Sequence, residues 1–438
     1  MKEKSNKHTA SMIRLKYSTS IKITDGPHET PQLIAKGIPF VSAEAIKNGK
    51  ISFSNVRGYI SLKDHKRYSK KFKPQKNDIF IVKSGATTGN AAIAEVCIDF
   101  NIWSPLAAIR SNHNFLPRYL FYYINSKDFQ DEVRKNWNYG TQQNIGMSTL
   151  GEIPIAYPTL QDQASIVEFL NRKTMVIDGL IEKKERLIGL LEEQRQALVT
   201  QAVTKGLDPD VPMKNSGIDW LGDIPAHWQV IKLKRLGRIR SGLAIGKNYG
   251  DRETTPYPYL RVANVQDGFL NLEKMKTVNV PTNDALRYAL KKGDVLMNEG
   301  GDYDKLGRGA VWNEEIEKCL HQNHVFAVRL YDRSLSTWIS ITTQTNYLKR
   351  YFQGKAVRST NLASISSTNI KHAPIVLPPK KEQFAILSFL DDKLNHSDQA
   401  KQLIEKQIAL LKEYRQALIT AAVTGQIDVS AEEPDPCP

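Results

Sequence analysis

Arg195-Gln-Ala-Leu-Val-Thr-Gln-Ala-Val-Thr204 returns 220 residues later as Arg415-Gln-Ala-Leu-Ile-Thr-Ala-Ala-Val-Thr424. Outward from these two stretches the offset holds without a gap, from Pro158 over Pro378 to Asp208 over Asp428. A repeat of this size means a duplicated architecture. Fainter matches continue upstream. Pro39-Phe40-Val41 and Gly49 fall on Pro258-Tyr259-Leu260 and Gly268. Asn77-Asp78-Ile79-Phe80 falls on Gly293-Asp294-Val295-Leu296, and Ala108-Ile109-Arg110 on Ala327-Val328-Arg329. The offset shifts slightly between these matches, so loops differ in length between the copies. The chain reads as globular unit (1–157), similar segment (158–208), diverged globular unit (209–377), similar segment (378–428) and a short tail (429–438).

Both similar segments carry a helical stripe. Val167, Leu170, Thr174, Ile177, Ile181, Ile188, Leu191 and Leu198 follow steps of three and four, as do Leu387, Leu390, Leu394, Ile404, Ile408, Leu411 and Leu418. A stripe sustained this long predicts a long helix with a coiled-coil seam. Lys184, Arg195, Lys401 and Arg415 interrupt it. Pro158 and Pro378 stand just outside the starts, and Gly206 and Gly425 near the ends, as start and stop chemistry requires. The globular units read as mixed α/β (α+β). Short β-rich runs such as Asp78-Ile-Phe-Ile-Val-Lys83 and Val325-Phe-Ala-Val-Arg-Leu330 precede helical stretches near 118–134 and 335–352.

The 438 residues are too many for one ordinary domain, and 41% hydrophobic content supplies real cores. A disordered or collagen-like chain is thereby excluded. No apolar run approaches the roughly 20 residues of a membrane-spanning helix. The first residues lack the apolar stretch of a secretion signal. Cys97, Cys319 and Cys437 are too scattered for a disulfide framework or metal knuckle, so a reducing cytoplasm is expected.

Net charge is +15, unevenly placed. Residues 1–157 carry +11 and 209–377 carry +8, whereas 158–208 carry −1 and 378–438 carry −3. Two basic units joined by neutral to acidic helices suit a long polyanion gripped at two places, with duplex DNA the natural candidate. A coiled-coil scaffold whose basic lobes bind RNA or protein without sequence preference is the alternative.

Candidate contacts follow from residue chemistry. Lys63, Lys66, Arg67, Lys70, Lys71 and Lys73 interleave with aromatics and suit phosphate contact; a solvated charged loop reads the same. Tyr139, Thr141, Gln142, Gln143 and Asn144 offer hydroxyls and amides that can read base edges, and Arg358, Ser359, Thr360 and Asn361 hold the comparable place in the second unit. Polar turn chemistry is the competing reading. Gly-rich loops follow paired strands in both units, with Ser84, Thr87 and Thr88 in one and Tyr303, Lys305 and Arg308 in the other. Lys247 lies in Ser241-Gly-Leu-Ala-Ile-Gly-Lys-Asn248, which has too few residues between its glycines for a phosphate loop.

Catalytic constellations are not found. The chain holds no Asn-Pro-Pro-aromatic tetrapeptide of the amino-methyltransferase kind and no G-x-S-x-G elbow. His321-x-x-His324 near Glu317 lacks an H-E-x-x-H frame, so polar loop histidines are expected rather than a zinc site. A binding role is expected.

These residues resemble the specificity (S) subunit of type I restriction-modification systems. The matching pieces are Ser216-Gly-Ile-Asp-Trp-Leu-Gly-Asp-Ile-Pro-Ala-His-Trp228, Leu377-Pro-Pro-Lys-Lys-Glu-Gln383 and both copies of Arg-Gln-Ala-Leu with Ala-Val-Thr. The first unit departs from the pattern: it has no such leader, beginning near Ile13-Arg-Leu-Lys16, and its helix opens Pro158-Thr-Leu-Gln-Asp-Gln163. The resemblance implies two target recognition domains, each reading half of a bipartite duplex target. It implies two long helices paired as an antiparallel coiled coil with pseudo-twofold symmetry. Two modification (methyltransferase) subunits would dock on the helices, with Arg195, Gln196, Leu198, Arg415, Gln416 and Leu418 as candidate contacts. Two restriction/translocation subunits could join. No cofactor is expected in this chain; S-adenosylmethionine, ATP and Mg would belong to those partners.

Overall fold

The computed structural model describes residues 11–139, 143–244, 246, 249–358 and 363–429. The chain divides into two compact units: Met1–Glu185 with Glu405–Pro438 (unit 1), and Arg186–Ile404 (unit 2). Each unit thus takes one globular head and one portion of both long helices.

The heads share one plan. In unit 1, four strands stand in the order Thr24–Asp25, Leu106–Ile109, Ile79–Val82, Ala91–Ile93, all antiparallel neighbours. In unit 2 the order is Gly237–Ser241, Val325–Leu330, Val295–Asn298, Gly309–Val311, again antiparallel. Each head adds a three-stranded sheet with one parallel pair: Gly58–Ile60, Ile38–Val41, Asn101–Ile102 in unit 1, and Lys276–Val280, Thr255–Leu260, Leu320–His321 in unit 2. The central strands read as unbroken apolar runs because both faces are covered. Ile79 and Ile81 pack with the head helices, while Phe80 and Val82 enter a second cluster with Phe100 and Ile102. Val295 and Met297 part from Leu296 in the same way.

The upstream sequence matches are halves of one interaction. Arg110 grips Asp78 bidentately at 2.7 and 2.7 Å, and Arg329 grips Asp294 at 2.8 and 2.6 Å. Both carboxylates are only 1% exposed, so each needs its arginine to be tolerated in the interior.

The helical stretches near 118–134 and 335–352 are each broken in two. Unit 1 has α1 (Pro117–Ile124) and α2 (Lys127–Lys135). Ser126 stops the first helix and caps the second, its Oγ accepting the Phe129 N–H at 3.3 Å. The long helix α3 (Leu160–Lys205) follows. Unit 2 has α4 (Ser336–Thr343) and α5 (Asn346–Lys355), and α6 (Lys380–Val423) closes the fold. Gly206 (φ +80°) and Gly425 (φ +71°) take the left-handed conformation just past α3 and α6, where a side chain would be strained.

Within each unit α3 and α6 run antiparallel, and the charged interruptions of the stripe explain how. In unit 1, Lys184 donates to Gln407 (2.7 Å) and Arg415 pairs with Asp178 (2.8 Å). In unit 2, Lys401 pairs with Glu192 (2.6 Å) and Arg195 approaches Asp398 (3.7 Å). Asp178–Arg415 and Asp398–Arg195 are images of each other under the repeat. The interruptions therefore act as register marks inside an otherwise apolar seam.

Candidate nucleic-acid interface

Segments far apart in sequence converge in the same way in each head. In unit 1 the strand pair Asn138–Tyr139 and Gln143–Asn144 lies against the Gly-rich loop. Ser84 bridges to Asn144, the Gly85 N–H donates to the Gln143 carbonyl (3.0 Å), and the Ile145 N–H donates to the Lys83 carbonyl (2.9 Å). In unit 2, Gly300–Gly301 pairs with Ala363–Ser364, which pairs with Val357–Arg358. There the Ile365 N–H donates to the Glu299 carbonyl (2.8 Å). Hairpin and Gly-rich loop thus form one surface per head.

Among the candidate residues of this surface, Thr87 and Asn144 are exposed, and Ser84 and Gln143 half-buried. Thr88 is buried, its hydroxyl donating to the Gly85 carbonyl at 2.7 Å, which makes it a turn former rather than a contact. Arg358 is exposed and stacks on Tyr303 with 3.6 Å from guanidinium carbon to ring centre. Lys305 pairs with Asp302, and Arg308 is drawn inward toward Gln266 (3.3 Å) and Asp267 (3.7 Å). Thr141, Gln142, Lys247, Ser359, Thr360 and Asn361 lie outside the described residues, as does the Tyr139 side chain.

The basic run is a helix rather than a loop over Leu62–Ser69, with Ser61 Oγ accepting the Asp64 N–H at 3.0 Å. Its cations divide into two groups. Lys63, Lys66 and Lys70 are exposed and have no acidic partner among the described residues. Arg67 pairs with Glu29 (2.7 Å) and Asp64 (3.0 Å), Lys73 with Asp99 (2.9 Å), and Lys71 with Asp25 (2.6 Å). Asp25 is buried beneath Lys71, Lys83 and His28. Burial pushes its pKa up, but the two ammonium groups outweigh this and hold it below the usual carboxylate value.

Two residues that the sequence reading passed over occupy one structural position. The Lys83 N–H donates to the Pro105 carbonyl (2.8 Å), and the Glu299 N–H to the His324 carbonyl (2.9 Å). Both residues follow the matching central strands, and both carbonyls receive the hairpin. Lys83 lies 3.1 Å from Asp25, whereas Glu299 receives His324 Nδ1 at 2.8 Å. Extending the match of Asn77–Phe80 on Gly293–Leu296 by three more residues aligns them, which was the signal available. His324 is thus a partner of Glu299. His321 is buried with Nδ1 2.7 Å from the Val325 carbonyl, and desolvation lowers its pKa to about 4. Among the described residues no His, Cys, Asp and Glu group could hold a metal ion, and no helix is long and apolar enough to cross a membrane.

The Arg-Gln-Ala-Leu copies face inward. Arg195 and Arg415 sit in the helix seams, Gln196 and Gln416 donate to carbonyls of their own heads, and Leu198 and Leu418 pack against those heads' cores. Where the resemblance suggested partner contacts, the structure places intrachain ones. The leader and the helix opener also meet: the Trp228 indole N–H donates to Glu382 (2.9 Å), and His227 lies 2.7 Å from the same carboxylate.

The family model described as type I restriction modification DNA specificity domain matches this chain twice, over residues 31–188 and 225–409, and the chain belongs to that family. A putative type I restriction enzyme specificity subunit, MjaX, of Methanocaldococcus jannaschii is 28% identical over 47% of this chain, which spans about half the length of that relative. The StySPI specificity subunit of Salmonella potsdam is 22% identical over 91% of this chain and 84% of its own length. A chain solved in work on complex assembly and conformational transition of the type I R-M system has the same fold, with a TM-score of 0.62 at 18% identity over 96% of this chain and 99% of that one.

Proposed function

We propose that this chain is the non-catalytic DNA-specificity subunit of a type I restriction-modification complex, each head reading one half of a bipartite duplex target. The observation that carries the reading is the twice-built surface of hairpin and Gly-rich loop, one on each basic head. Base edges would be read by the hairpins, and phosphates held by cations such as Lys63, Lys66 and Lys70. The long helices would set the spacing between half-sites and dock two methyltransferase subunits. Exposed apolar side chains on the long helices support that role: Val176 and Leu180 on α3 with Leu410 and Tyr414 on α6 in unit 1, and Leu187 and Leu190 on α3 in unit 2. Two restriction/translocation subunits would join the assembly in the cytoplasm. S-adenosylmethionine, ATP and Mg would be bound by those partners.

The decisive experiment maps methylated bases across the host genome with this gene intact and deleted. A two-part motif that disappears on deletion is the expected result; an unchanged methylation pattern refutes the reading. In binding assays, replacing Lys63, Lys66 and Lys70 by Ala should flatten the slope of log affinity against log salt by up to about 0.9 for each phosphate no longer neutralised, with sequence preference kept.

A further inference from the structure

Each head meets one of the long helices at a corner where two of its short helices join. A helix end leaves carbonyls and N–H groups without intrahelical partners. In unit 1 the corner is Asn125-Ser126-Lys127. The Asn125 carbonyl, at the end of α1, accepts the Gln416 side-chain amide at 2.6 Å. The Lys127 N–H, opening α2, donates to Thr420 Oγ at 2.9 Å. In unit 2 the corner is Gln344-Thr345-Asn346. The Gln344 carbonyl accepts the Gln196 amide, and the Asn346 N–H donates to Thr200 Oγ at 3.1 Å. One Gln and one Thr, a helical turn apart, close both helix ends in each case.

Apart from Lys349 Nζ, which donates to Gln196 Oε1 (3.0 Å), these four contacts reach the main chain of the heads, so the corner residues can differ while the joint stays the same. Apolar packing around Ile419, Ala422 and Val423 holds the unit 1 head without directional preference. The hydrogen bonds do have one, since they weaken steeply off-axis. Each clamped residue also begins the helix that leads to the hairpin: α2 runs from Lys127 toward Asn138, and α5 from Asn346 toward Val357. A nine-residue helix is a lever of about 13 Å.

We propose that Gln416 with Thr420, and Gln196 with Thr200, are positioning residues that set the angle at which each head presents its hairpin to DNA. This rests on the specificity reading above. Full-length chain is titrated with duplexes carrying the intact target, or the target with either half scrambled. Thr420→Val keeps the shape and removes the acceptor. It should reduce discrimination at the half-site of unit 1 roughly tenfold and leave the other half unchanged. Thr200→Val should give the mirror result, and Thr420→Ser should restore discrimination. Equal losses at both half-sites, or no loss from either variant, overturn the proposal. If Thr420→Val does not fold, Gln416→Met removes the other bond at the same corner and is judged by the same outcomes. Hydrogen exchange without DNA provides an arm independent of the specificity reading. Faster exchange in Lys127–Lys135 relative to Pro117–Ile124 in Thr420→Val supports the joint, and unchanged exchange overturns it. A wild-type chain that binds without half-site preference would refute the specificity reading, while the exchange arm still decides on the joint.

Discussion

Unit 2 fastens the start of α6 to its head through Trp228, which is fully buried, lies edge-on to Trp338 and donates to Glu382. At the matching place in unit 1, Asp162 turns back on its own helix. Its N–H donates to Thr159 Oγ at 3.2 Å, and its carboxylate accepts the Thr159 hydroxyl at 2.7 Å. Next to these residues the same glutamine acts in both copies: Gln163 donates to the Pro158 carbonyl and Gln383 to the Pro378 carbonyl. The duplicated frame therefore fixes which main-chain groups must be satisfied and leaves open which side chains do it. The heads differ under the same rule at Lys83 and Glu299, whose main chains are equivalent and whose side chains carry opposite charge.

The largest effect that would sharpen this contrast is expected from Trp228→Ala. It should cost unit 2 about 3–5 kcal/mol through the cavity it leaves. Hydrogen exchange resolved by unit should show unit 1 unaffected; equal loss in both units would break the comparison. Acidification should come next. His321 is buried in its neutral form with a folded pKa of about 4, below its unfolded value near 6.5. Between these values the unfolded chain binds the extra proton, so the stabilisation is complete above about 6.5 and fades as pH falls toward 4. Unit 2 should lose on the order of 3 kcal/mol across that window, and His321→Gln should flatten the dependence in pH-resolved melts. The smallest effect concerns the bases. Lys83→Gln and Glu299→Gln should each change discrimination by about 1–3 kcal/mol, and only at the half-site of the altered head. Competition binding against single-base variants of each half-site measures this. A change spread evenly over both half-sites would mean these positions do not face bases.

Much of the frame was legible in the chain because its signals are local and periodic. The three-and-four stripe gave α3 and α6, and the gapless offset gave the duplication. The Asp78–Arg110 and Asp294–Arg329 pairs were visible as matching motifs, although their meeting across a sheet was not. Lys184, Arg195, Lys401 and Arg415 looked like flaws in the stripe because their partners lie more than 200 residues away. Shorter separations in sequence hid the fate of the basic run. Net charge counts Arg67, Lys71 and Lys73 as cations, and only the fold brings Glu29, Asp25 and Asp99 to them. The breaks between α1 and α2 and between α4 and α5 escaped because their capping groups come partly from the long helices.

One pairing carries a consequence of another kind. In each head a strand near its start lies antiparallel beside one at its end: Ser11–Arg14 against Pro154–Tyr157, and Gln229–Lys232 against Pro374–Leu377. The polypeptide enters and leaves each head through neighbouring doorways. A head is therefore a cassette, and a wholly different one could be spliced in at two adjacent points without rethreading what lies outside, so new reading preferences can be acquired in a single exchange.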